Sequence, residues 1–90
     1  MASIQNLKKD LNIVLSDVIE ECYVAQLTSD EKKAEKFEKI IDESIGVFDE
    51  LIERINDKKV ENRSKHLKEV KKDLELNANA LLDKIGKLKE

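Results

Sequence analysis

Apolar residues recur every third or fourth position along almost the whole chain, in three consecutive stripes of similar length. The first is Ile4, Leu7, Leu11, Val14, Val18, Cys22 and Ala25, and the second is Ala34, Phe37, Ile41, Ser44, Phe48, Leu51 and Ile55. The third is Val60, Leu67, Val70, Leu74, Ala78, Leu81, Ile85 and Leu88. A helix turns about 100° per residue, so this spacing gathers each stripe on one side of a helix. On the first two helices the apolar arc is roughly 160–180° wide, which suits a helix with two neighbours better than the narrow seam of a two-stranded coil. The pattern predicts an all-α fold: one domain, an antiparallel up-down-up three-helix bundle with long helices and a coiled-coil-like period.

The expected helices span residues 3–27, 29–56 and 58–88; a length of about 25 residues gives a rod near 37 Å at about 1.5 Å per residue. Ser3 is a reasonable N-cap for the first. Thr28 followed by Glu31 fits a capping box for the second, and so short a connection makes helix two fold back antiparallel to helix one. Between the second and third stripes only Asn56, Asp57 and Asn62 favour a turn. Asp57 capping a helix from Lys58, Asn62 capping one from Arg63, and one continuous helix are all compatible with these residues. Gly86 among lysines suits a helix end, whereas Gly46 falls mid-helix, on the side away from its stripe.

Ninety residues suit one domain with a modest core. Hydrophobic residues at 40% separate the chain from disordered ones despite 41% charge, and few aromatics with no proline favour long helices. Phe37 and Phe48 are the only phenyl rings for the core, and Phe48 sits centrally in its stripe. A net charge of −3 argues against general affinity for nucleic acid or an anionic membrane surface. The longest apolar run, Cys22 to Ala25, is far below the roughly 20 residues a bilayer span needs. Lys8, Lys9 and Asp10 interrupt the start where a secretory signal would need an apolar run. A single cysteine forms no internal disulfide, so the expected location is cytoplasmic.

Chemistry has few candidates. His66 lies in Ser64-Lys65-His66-Leu67-Lys68-Glu69. Helical phosphotransfer domains carry a reactive histidine in a pattern like His-x-Leu-Lys-Gly. Here Leu67 and Lys68 each fall one place early, and Glu69 stands where a lysine would steady phosphate. His66 therefore reads as a solvated surface residue. A di-iron bundle needs two Glu-x-x-His units, and this chain has one histidine preceded three places earlier by Arg63. Cys22, beside Glu20 and Glu21, reads as a small buried hydrophobe rather than a nucleophile. Neither catalytic residues nor a cofactor, metal or small-molecule ligand are expected.

Acids cluster from Asp10 to Glu31, and bases from Lys58 to Lys72. In an up-down-up bundle these two stretches are expected to face each other across helices one and three, each exposed pair contributing about 0–1 kcal/mol. Ile13, Tyr23, Val24 and Leu27 fall outside or at the margin of the first apolar arc, and Leu76 sits almost opposite the third stripe. These five residues are the candidate partner surface. The expected function is a non-catalytic protein–protein interaction module or homo-oligomer. The alternative is a phosphotransfer or regulatory component using His66; a nucleic-acid-associated role for Lys58–Lys72 is weaker still, since no aromatic interleaves the lysines.

Overall fold

The computed structural model describes residues 4–89. They form three helices: α1 (Ile4–Leu27), α2 (Glu31–Asn56) and α3 (Arg63–Lys89), with no strand among the described residues. Each helix packs against the other two, and the bundle is slender, with extents of 48 × 19 × 17 Å. The all-α three-helix architecture matches the periodicity. The expected cap at Ser3 lies outside the described residues.

The turn from α1 to α2 differs from the capping box read from the sequence. Asp30, not Thr28, is the N-cap, and its carboxylate accepts from the Lys33 amide at 2.8 Å. The hydroxyls of Thr28 and Ser29 instead donate backwards, to the carbonyls of Ala25 (3.4 Å) and Gln26 (3.1 Å). The last turn of α1 has carbonyls without helical partners, and nearby hydroxyls satisfy them. A carboxylate is also a better acceptor than a hydroxyl at the positive end of α2. Gln26 closes the turn sideways, donating to the Ala34 carbonyl at 2.9 Å and the Glu38 carboxylate at 3.0 Å.

Residues 57–62 separate α2 from α3, so the third helix begins at Arg63 rather than 58. Asp57 ends α2, its amide bonding the Arg54 carbonyl, while its carboxylate accepts from the Lys59 amide at 2.9 Å. That local loop competes with helix. Asn62 starts α3 by accepting from the Lys65 amide at 3.1 Å. Val60, assigned to the third stripe by its spacing, lies in the connection, half-buried. Gly86 does not end α3, which continues to Lys89. No glycine has positive φ there, Leu88 packs on the core, and Lys89 pairs with Glu21 at 2.9 Å, so tertiary contacts hold the last turn.

One apolar cluster runs the length of the bundle, and the stripes supply most of it. Leu15 and Ile40 are buried although neither belongs to a stripe as read; a helix wedged between two neighbours buries a wider arc than one seam. Phe48, placed at the centre of the second stripe, is only half-buried, while Phe37 is enclosed. Among the described residues Ser44 is the one buried polar side chain; it donates to the Ile40 carbonyl at 2.8 Å, and no buried side-chain nitrogen or oxygen among them lacks a partner.

The expected pairing of the α1 acids with the Lys58–Lys72 bases does not occur among the described residues. The ion pairs are Arg54–Asp73 (2.7 Å), Lys84–Glu43 (2.8 Å), Lys89–Glu21 (2.9 Å) and Lys87–Asp83 (3.4 Å). With α3 starting late, its basic first half lies level with the start of α1, and the acids near the end of α1 meet the end of α3. The first three cross between helices and tie α3 to both partners, whereas Lys87–Asp83 lies within α3.

Candidate interaction surface

The residues with chemical potential are occupied structurally. His66 is half-buried rather than solvated, with Nε2 at 2.6 Å from the Arg54 carbonyl. A carbonyl can only accept, so Nε2 carries the proton and the ring ties the start of α3 to the end of α2. The reason lies in the short connection: with α3 starting at Arg63, its first turn stands beside the last turn of α2, whose carbonyls need donors. Cys22 is fully enclosed, and its thiol pKa is pushed up, first by burial and then by the Glu21 carboxylate, with Lys89 opposing. A thiol so placed holds its proton and is shielded from reagents. Among the described residues no three His, Cys, Asp or Glu side chains converge on a metal-sized site.

Ile13, Tyr23, Val24, Leu27 and Leu76 all stand in solvent, between 51% and 85% exposed. The fold brings three of them together: Tyr23, Val24 and Leu27 share the last turn of α1, beside the turn into α2. Ile13 lies about 15 Å back along the axis, ten residues at 1.5 Å each. Leu76 is on α3, two residues from both buried Leu74 and buried Ala78, so it points away from the bundle. The five residues are therefore one cluster and two outliers.

Periodicity did not single out two further exposed apolar residues, Ile45 on α2 and Leu82 on α3. Ile45 follows Ser44 directly and lies one step past the edge of the second stripe; the signal was an isoleucine just outside a well-defined arc.

Two of the concavities on the described surface adjoin these exposed apolar residues. At the end where α1 turns into α2 and α3 finishes, a notch of about 650 Å³ is lined by Val24, Ala25, Thr28, Asp30, Lys33 and Lys89, among others, with Phe37 and Leu88 behind them. Along the α1–α2 groove a smaller one of about 200 Å³ is lined by Asn12, Leu15, Ser16, Ile19, Ile45 and Phe48. It exists because Asn12 and Ser16 are short where the facing residues of α2 are large, which also leaves Phe48 partly uncovered.

No protein-family model, curated protein or solved structure matches this chain. No helix among the described residues is long and apolar enough to cross a membrane.

Proposed function

We propose that this protein is a non-catalytic helical interaction module of the cytoplasm. Its end-of-α1 cluster engages a protein partner or a second copy of the chain. The observation that carries this reading is the cluster itself: Tyr23, Val24 and Leu27 are more than half exposed on one helical turn, next to a notch whose rear wall is apolar. Single exposed apolar residues are common on any protein, whereas several on adjoining turns mark a contact surface. Tyr23 adds an amphipathic ring of the kind enriched at binding surfaces. The enclosed Cys22 thiol fits a reducing compartment.

Light scattering across a concentration series, together with pull-down by the wild type and by a Tyr23→Ala/Leu27→Ala variant, tests this. The reading expects the variant to lose self-association or a captured partner while keeping its helical content. A wild type that is monomeric throughout and captures the same proteins as the variant refutes it.

A further inference from the structure

We infer that the α1–α2 groove receives the outer face of α3 from a second copy of this chain, Leu76 seating in the notch beside Ile45. This uses surfaces other than the end-of-α1 cluster and stands independently of it.

The groove offers an apolar socket with a negative rim. Ile45 is 48% exposed at its lip, and Leu15, Ile19 and Phe48 form its wall. Asp42 and Asp49 lie one helical turn either side of Ile45, and Glu20 one turn beyond Ser16; all three are exposed. None of these carboxylates has an ion-pair or hydrogen-bond partner among the described residues.

The outer face of α3 is the complement. Lys65, Lys68, Lys72 and Leu76 follow at steps of three, four and four on one side of the helix, every one exposed, with Leu76 at 58%. The lysines likewise have no ion-pair partner among the described residues. Of the three acids in that stretch Asp73 is paired with Arg54, so Glu69 and Glu75 are left to dilute its positive charge.

Spacing also fixes a direction. With Leu76 seated against Ser16 and Ile45, Lys72 and Lys68 of the incoming copy lie about 6 and 12 Å along the axis. The acids Glu20, Asp42 and Glu38 all lie toward the end of the groove formed by the close of α1 and the start of α2. The incoming α3 therefore runs antiparallel to α1. That orientation also sets its Asp83, about 10 Å beyond Leu76, near Lys9, which is the same distance from Ser16 in the opposite sense. The reverse orientation would set the lysines beside Asp49 and Glu53 of α2 but against Lys8 and Lys9 of α1, whereas the stated one meets acids on both helices.

The groove and the outer face of α3 lie on opposite sides of the bundle. Each copy can therefore give and receive at once, and the contact is heterologous and open-ended. A bundle wall 48 Å long and 17–19 Å wide supplies on the order of 800 Å² per partner only when fully overlapped. Partial overlap gives a weak, reversible association between about 10 µM and 1 mM.

Sedimentation equilibrium tests this with two charge-reversed variants, Glu20→Lys/Asp42→Lys and Lys68→Glu/Lys72→Glu, each checked for wild-type helical content. The wild type should gain average mass beyond a dimer as concentration rises, and lose it as salt goes from about 50 to 500 mM. Each variant alone should associate at least about tenfold more weakly, like charges now facing. An equal mixture of the two should recover the association, because each reversed surface meets its complement. Leu76→Asn should weaken association without any change of charge. A monomeric wild type at about 1 mM, charge reversals without effect, or a mixture that stays monomeric would each overturn the proposal. Loss of association in Tyr23→Ala/Leu27→Ala alone would leave the end-of-α1 reading standing and remove this one.

Discussion

Replacing Phe37 with alanine tests the packing scheme where it is most exposed to error, because the sequence pattern put Phe48 at the centre instead. Phe37 retains 1% of its surface in solvent and belongs to the continuous core cluster. Its ring is covered almost completely, one edge backing the notch at the end of α1, by structure that can relax only in part, so truncation should cost the transfer energy plus a cavity term, about 3–5 kcal/mol. A domain of this size has a total stability of roughly 5–13 kcal/mol, so the loss is a large fraction of it. At about 4–8 °C per kcal/mol, Tm should fall by at least 12 °C. Phe48 is only partly covered on the wall of an open notch, so Phe48→Ala removes about two-thirds or more of a ring's burial energy and leaves no closed cavity, costing about 1–2.5 kcal/mol. Urea and thermal unfolding followed by circular dichroism measure both. Equal costs at the two positions, or a larger one at Phe48, would show that the core is centred elsewhere.

The cap assignment separates two neighbours: Asp30→Ala should cost about 0.5–2 kcal/mol in urea unfolding, and Thr28→Ala should cost clearly less. Gly46→Ala meets nothing within 4 Å of an added Cβ, and should raise stability by about 1 kcal/mol in the same assay. His66→Ala should cost about 0.5–1.5 kcal/mol through loss of the bond to the Arg54 carbonyl, whereas a freely solvated histidine would cost nothing. Cys22 should resist a thiol reagent in native protein and react at once in denaturant. Its raised pKa also means that stability is full below the unfolded value of 9.0 and declines as pH climbs above it. The Cys22→Ala variant should lack that component of the alkaline decline.

The three apolar stripes, the antiparallel return of helix two and most of the core were legible because a period near 3.6 survives any choice of rotamer or cap, whereas the break between helices two and three was not. What could not be read were the features decided by competition between adjacent groups. Thr28 and Asp30 both look like caps, and only the geometry of the turn shows the hydroxyl being drawn to the Ala25 carbonyl. Asp57 and Asn62 both announce a helix start, yet Asp57 bonds the Lys59 amide and thereby ends one helix without opening the next. Phe48 keeps perfect spacing with its stripe, but the short Asn12 and Ser16 opposite leave it only partly covered, a pairing between helices that no single-helix pattern contains. His66 was misread for the same reason, since its partner lies on α2. Of the candidate surface, the sequence correctly showed Tyr23, Val24 and Leu27 as leftover apolar residues on one turn. Ile13, ten residues earlier, and Leu76, on the outer side of α3, were grouped with them by their apolar character alone and stand apart in the fold.

The two connections are unlike. The first is three residues long and braced by Gln26, Ser29 and Asp30; the second, residues 57–62, is longer and almost wholly exposed, with Lys58 and Lys59 at its centre. A trypsin-like protease nicking there would cut no helix and remove no member of the core. The hairpin and the separate α3 would keep their shared apolar seam and their cross-helix ion pairs, so the cleaved protein would persist as two fragments that reassemble on mixing.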